Sequence, residues 1–99
     1  MTPYVCLLEI HLHFGASRDL KGKRKELHSL KAGLRQRFGA SVAEIDGQDT
    51  WQRATLLCAL VGGGEVSGRA DELERFVVAR CPDGAAFARE LRSLEDIRG

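Results

Sequence analysis

The sequence predicts a small α+β domain with the element order β-α-β-β-α-β, and three observations carry that prediction. Two long stretches, Tyr4 to Phe14 and Trp51 to Val61, are largely apolar at odd and even positions alike, as strands in the middle of a sheet are. Two further stretches repeat apolar residues every three to four positions, the spacing of a helix that buries one face. Glycine and Asp-Gly signals fall between the strand stretches and never inside them.

Along Tyr4 to Phe14, one face carries Cys6, Leu8, Ile10, Leu12 and Phe14, and the other Val5, Leu7, Glu9, His11 and His13. Gly15 to Arg18 reads as a loop, and Asp19 as the N-cap of a long helix. Leu20, Leu27, Leu30, Leu34 and Phe38 form its apolar face, and Gly39 is its stop signal. Gly22 weakens the first turn by about 1 kcal/mol relative to alanine. Ser41 to Ile45 is a short strand, and Asp46-Gly47-Gln48-Asp49 a hairpin turn. The second long strand puts Ala54, Leu56, Cys58 and Leu60 on one face, and Arg53, Thr55, Leu57, Ala59 and Val61 on the other.

After the loop Gly62-Gly63-Gly64, Ser67 is the expected cap of a second helix. Its face is Ala70, Leu73, Phe76 and Val77, and Pro82 and Gly84 end it. Ala85 to Ile97 fits both a helix and a polar edge strand. Topology favours the strand: β-α-β-β-α leaves an open edge beside the first strand, which a fourth strand over 85–97 would fill. The result is the split β-α-β, or ferredoxin-like, arrangement: a four-stranded antiparallel sheet with two helices on one face. Its two central strands are the first and third, the pair made apolar on both faces.

Ninety-nine residues are too few for two independent cores, so residues 1–99 are expected to form a single domain. No apolar run is long enough to span a bilayer, so no membrane partner is expected. Met1-Thr2-Pro3-Tyr4 puts no basic segment ahead of an apolar one, which makes the cytoplasm the expected location. Cys6, Cys58 and Cys81 show no C-x-x-C spacing, so neither a disulfide framework nor a thiolate metal site is implied.

Charge is distributed unevenly. Arg18 to Arg37 holds eight basic and two acidic residues, whereas Phe38 to Phe76 holds three basic and seven acidic. On a helical wheel the apolar face centres near 330° from Leu20. Lys31, Arg24, Arg35, His28, Lys21 and Lys25 fall at about 20° to 140°. They form a stripe beside the buried face. Lys23 points nearer the core arc, and its long stem is expected to snorkel to solvent. Early basic residues oppose the helix dipole by roughly 0.3–1 kcal/mol each, so they do not serve helix stability. The alternatives are a solvated surface and a polyanion interface made by Lys21, Lys23, Arg24, Lys25, Lys31 and Arg35.

Gln48, Asp49, Trp51 and Arg53 form a second candidate group: a partner anchor, or a turn in which Asp49 and Arg53 brace the backbone while Trp51 caps the core. Glu9, His11 and His13 share a strand face, but nothing fixes the spacing of further ligands in Glu44, Asp46 or Asp49, so no metal is expected. No Gly-x-Ser-x-Gly is present, and the triple glycine lacks a following Lys-Ser/Thr. Neither a catalytic constellation nor a cofactor is expected. The open sheet face leaves Val5, Leu7, Leu57, Ala59 and Val61 unpartnered, which suggests a homodimer or a partner docked on the sheet.

Two blocks carry a resemblance. Leu20-Lys21-Gly22-Lys23-Arg24 with Leu27, Ser29-Leu30-Lys31, Leu34-Arg35 and Arg37-Phe38 is the first. Ser41-Val42-Ala43-Glu44 with Gln48-Asp49-Thr50-Trp51-Gln52-Arg53-Ala54 is the second. Together they resemble the YlxP-like family, a bacterial domain family of unknown function. The resemblance implies a ferredoxin-like fold and gene neighbourhoods shared with translation initiation and ribosome maturation. Asp19 and Gly22 stand where serine and a charged residue are commoner. The expectation is a non-catalytic module acting on RNA or on a ribosome- or translation-associated partner. The alternative is a small-ligand-binding regulatory domain or protein-protein adaptor acting as a dimer.

Overall fold

The computed structural model describes residues 1–15, 19–48, 50 and 52–99. The elements are β1 (Tyr4–His13), α1 (Leu20–Phe38), β2 (Ser41–Asp46), β3 (Arg53–Gly62), α2 (Val66–Arg80), β4 (Ala85–Ser93) and a final turn α3 (Leu94–Arg98). All strand pairings are antiparallel, in the order β2-β3-β1-β4. This is a ferredoxin-like α+β fold, with β1 and β3 in the centre as their two-sided apolar pattern requires.

Register explains which face is buried. Cys6 pairs with Leu60, Leu8 with Cys58 and Ile10 with Leu56, and all six side chains are buried. The alternate positions pair Val5 with Val61, Leu7 with Ala59 and Glu9 with Leu57 on the opposite face. A strand's period of two sorts the sequence into these layers. Leu27, Leu30 and Leu34 of α1 and Val66, Ala70, Leu73 and Val77 of α2 close over the first set to make the core.

The first helix starts and stops as expected. The Asp19 carboxylate accepts the Gly22 backbone N–H at 2.7 Å, and Gly39 ends the helix at φ 63°, a conformation that costs glycine little. α1 and α2 meet at Gly33, where a Cβ would come within 2.7 Å of Phe76 Cζ.

Two boundaries differ from expectation. The second helix begins at Val66 with Glu65 as N-cap, so Ser67 is not the cap. Val66, the first helical residue, is fully buried in the core, and the Glu65 carboxylate accepts the Gly63 N–H at 3.1 Å. That bond holds the carboxyl below its usual pKa. The last strand stops at Ser93 rather than Ile97. There the Ser93 hydroxyl accepts the Asp96 N–H and the Asp96 carboxylate accepts the Ser93 N–H, a capping box that starts a helical turn. The strand reading therefore holds to Ser93, and the helical turn after it comes from the capping box and not from the spacing of Phe87, Leu91 and Leu94, of which the first two lie in β4.

Candidate basic interface on the first helix

The residues of the basic stripe sit on one edge of α1, with Lys25 at the margin that meets the C-terminal end of α2 near Arg80 and Cys81. Lys21, Arg24, Lys25 and Arg35 are exposed and Lys31 is half-buried. From Lys21 to Arg35 the ridge runs about 21 Å at 1.5 Å per residue. An Arg35 guanidinium nitrogen donates to the Val42 carbonyl at 3.1 Å. Arg35 thereby reaches edge strand β2, and the ridge follows that edge of the sheet. Ion pairs among the described residues join Arg69 to Glu65, Arg89 to Asp71 and Glu74, and Arg92 to Glu90, and His11 lies beside Glu9. None involves a cation of the ridge, so the charge there is not cancelled by a described acid.

Lys23 departs from expectation. It is 1% exposed, the one charged residue among the buried described residues, and it belongs to no solvent-facing ridge. Its ammonium donates to the Thr50 carbonyl at 2.5 Å and also to the Gly47 carbonyl. The reason is position. Lys23 lies on the core side of the wheel, where its stem runs between α1 and the end of the sheet. Two turn carbonyls there take the charge, as a buried ammonium requires.

The β2–β3 turn is thus held by α1. Gly47 adopts φ 88°, and the Thr50 N–H donates to the Gly47 carbonyl at 3.1 Å. Gln48 donates to the Glu44 carbonyl at 3.4 Å, and Arg53 is exposed. Asp49 and Trp51, and the bracing and capping roles expected of them, lie outside the described residues.

The remaining candidates have definite surroundings. His11 Nε2 is 3.0 Å from a Glu9 carboxylate oxygen and its Nδ1 is 3.3 Å from the Thr55 hydroxyl. Among the described residues, no three histidine, cysteine or carboxylate side chains converge as a metal site would need. The three cysteines are buried and unpaired with one another. Burial raises the pKa of Cys6 and Cys81 and pushes Cys58 up to about 11, which suits packing and not nucleophilic attack. Val5, Leu57 and Ala59 are half-buried on the open sheet face, and Leu7 and Val61 are exposed there.

Sequence reasoning missed a second cationic group at the α1–α2 groove. Arg37 and Arg80 place their guanidinium carbons 5.0 and 5.1 Å from the centre of the Phe76 ring, and Arg80 donates to the Ser29 hydroxyl at 2.9 Å. Cation–π attraction holds both arginines at the surface. The two residues are far apart in sequence, and only helix packing brings them to one ring.

No helix among the described residues is long and apolar enough to cross a membrane. No curated protein matches the chain. Residues 5–87 match the model of a protein family of unknown function, DUF503. That match spans β1 to the first part of β4 and includes both the ridge and the hairpin that Lys23 holds, and the chain belongs to the DUF503 family.

Proposed function

We propose that this protein is a non-catalytic binding module that holds RNA, or a ribosome-associated RNA surface, through the α1 ridge. One observation carries the reading: Lys21, Arg24, Lys25, Lys31 and Arg35 follow one helix edge without an acidic partner among the described residues. Cations spaced along about 21 Å of rigid helix neutralise successive phosphates and release their counterions. The resemblance to YlxP-like proteins, with gene neighbourhoods in translation, points to the same kind of partner.

The test is a titration of bulk RNA at several salt concentrations with the native chain and with a Lys21→Glu, Arg24→Glu double variant. Native affinity should fall steeply with salt. The double variant should bind at least tenfold more weakly at 0.1 M salt. Its log–log salt slope should be shallower by about 1.4, the loss of two phosphate contacts to a single strand. Equal, salt-independent binding by both proteins, or none by either, refutes the reading.

A further inference from the structure

We infer that the open face of the sheet is a two-fold interface between two copies of this chain, an association independent of the basic ridge. α1 and α2 both close over the opposite face. The rows of the open face, read across the sheet from the strand registers, are Arg92–Val5–Val61, Glu90–Leu7–Ala59–Ser41, Ala88–Glu9–Leu57–Ala43 and Ala86–His11–Thr55–Asp46. Val61 is 68% exposed and Leu7 40%. Val5, Val61, Leu7, Ala59, Leu57 and Ala43 therefore form an apolar patch across the middle of the face, bordered by Arg92, Glu90 and Ser41 and with Glu9 beside Leu57, and contiguous apolar surface of this kind marks an interface.

Charge fits a second copy as the partner. Two identical faces repel when each carries a large net charge of one sign, and this face is close to neutral. Glu9, Glu90 and Asp46 stand against Arg53 and Arg92, with His11 and His13 beside them. Its acids also carry their own partners: Arg92 lies 2.5 Å from the Glu90 carboxylate and His11 Nε2 lies 3.0 Å from Glu9. Glu9, in the middle of the apolar rows, thus enters a contact with a hydrogen-bonding partner beside it. The other surfaces do not offer self-docking. The α1 ridge would set cation against cation, and it runs along the β2 edge, where the register also shifts between Glu44 and Asp46. A shifted, positively flanked edge resists pairing with itself.

Area is sufficient. β1 and β3 have ten residues, β4 nine and β2 six, so at about 3.3 Å per residue and about 4.8 Å per strand each copy offers about 550 Å². Two copies bury about 1,100 Å², above the roughly 1,000 Å² that a biological interface needs. Sheets meeting this way pack about 10 Å apart with the helices outside, so both ridges stay open to solvent.

Sedimentation velocity at 10–100 µM tests the interface, with circular dichroism to check folding. The native chain should sediment at twice its 10.9 kDa mass, and equally so from 0.05 to 0.5 M salt. Leu57→Arg and Ala88→Arg, each on the open face and away from the core, should give folded monomers. Arg24→Glu should remain dimeric. A native monomer at 100 µM, a species larger than a dimer, or a dimer that survives both face variants overturns the inference. If one face variant misfolds, the other still decides.

Discussion

The Lys23 ammonium lies 2.5 Å from the Thr50 carbonyl oxygen, joining the first turn of α1 to the β2–β3 hairpin across 27 residues of sequence. The two sequence blocks that stand out, Leu20–Arg24 and Gln48–Ala54, meet at this contact. Their joint presence has a physical basis: one supplies the buried cation, and the other, together with Gly47 just before it, the carbonyls that satisfy it.

Replacing Lys23 with methionine keeps the stem but leaves the Gly47 and Thr50 carbonyls without their donor. Charge-assisted bonds contribute about 1.5–3 kcal/mol each, offset in part by relief from burying an ammonium. The expected net loss is about 2 kcal/mol, read as a lower denaturant midpoint with unchanged slope. Amide exchange at Thr50, which donates to Gly47, should quicken. RNA affinity at fixed salt should not change, in contrast to Arg24→Glu. A Lys23→Met variant that folds as stably as the native chain would show that the contact adds nothing.

Gly33 and Gly68 should respond oppositely to alanine. At Gly33 the new methyl would lie 2.7 Å from Phe76 Cζ, and that ring is hemmed in by Phe38, Arg37 and Arg80. Overpacking of about 1–3 kcal/mol outweighs the helix-propensity gain of about 1 kcal/mol, so Gly33→Ala should destabilise by about 1 kcal/mol. Nothing lies within 4 Å of a Cβ at Gly68 in α2. There the propensity gain stands alone, and Gly68→Ala should raise stability by about 0.5–1 kcal/mol. Thermal melts of the two variants check both signs.

Cys58 couples stability to alkaline pH. Burial raises its thiol from 9.0 to about 11, so the folded state holds the proton more tightly than the unfolded one. The stabilisation is complete below about pH 9 and is lost as pH rises towards 11. A two-unit shift corresponds to roughly 2–3 kcal/mol. Between pH 9 and 11 the native melting temperature should fall more steeply than that of Cys58→Ala, which has no thiol to titrate. Parallel curves would refute this.

Arg69 ties three element ends together. Its guanidinium donates to the Phe38 carbonyl at 2.6 Å, just before the end of α1, and to the Val61 carbonyl at 3.2 Å in β3. Arg69→Met should cost about 1–2 kcal/mol, the price of two bonds to backbone carbonyls, and should quicken amide exchange at the C-terminal end of α1. Arg69→Lys should recover little, because one ammonium does not span both carbonyls as a planar fork does.

Much of the architecture was legible because it depends on periodicity. Strands apolar on both faces identified β1 and β3 as central, and Asp19 and Gly39 marked the ends of α1. The second helix was mis-capped because a serine close to a glycine run is a stronger local signal than Glu65. The end of β4 was misplaced because the Ser93–Asp96 capping box is easily overlooked inside a segment that also alternates like a strand. For the ridge, the wheel placed Lys21, Arg24, Lys25, Lys31 and Arg35 on one edge of the helix.

What the sequence determined by itself was which residues are apolar, at what period, and where the chain must turn. Those are local properties, and they are enough to order the strands and choose the buried face. Only the tertiary structure decided the fate of individual charges. Lys23 and Lys21 are two residues apart and chemically identical, yet one is buried on two carbonyls and the other is exposed. The helical wheel turns Lys23 toward the core and Lys21 away from it, but whether the Lys23 ammonium snorkels out or stays in is set by where the hairpin 24 residues later delivers its oxygens, which no local pattern encodes.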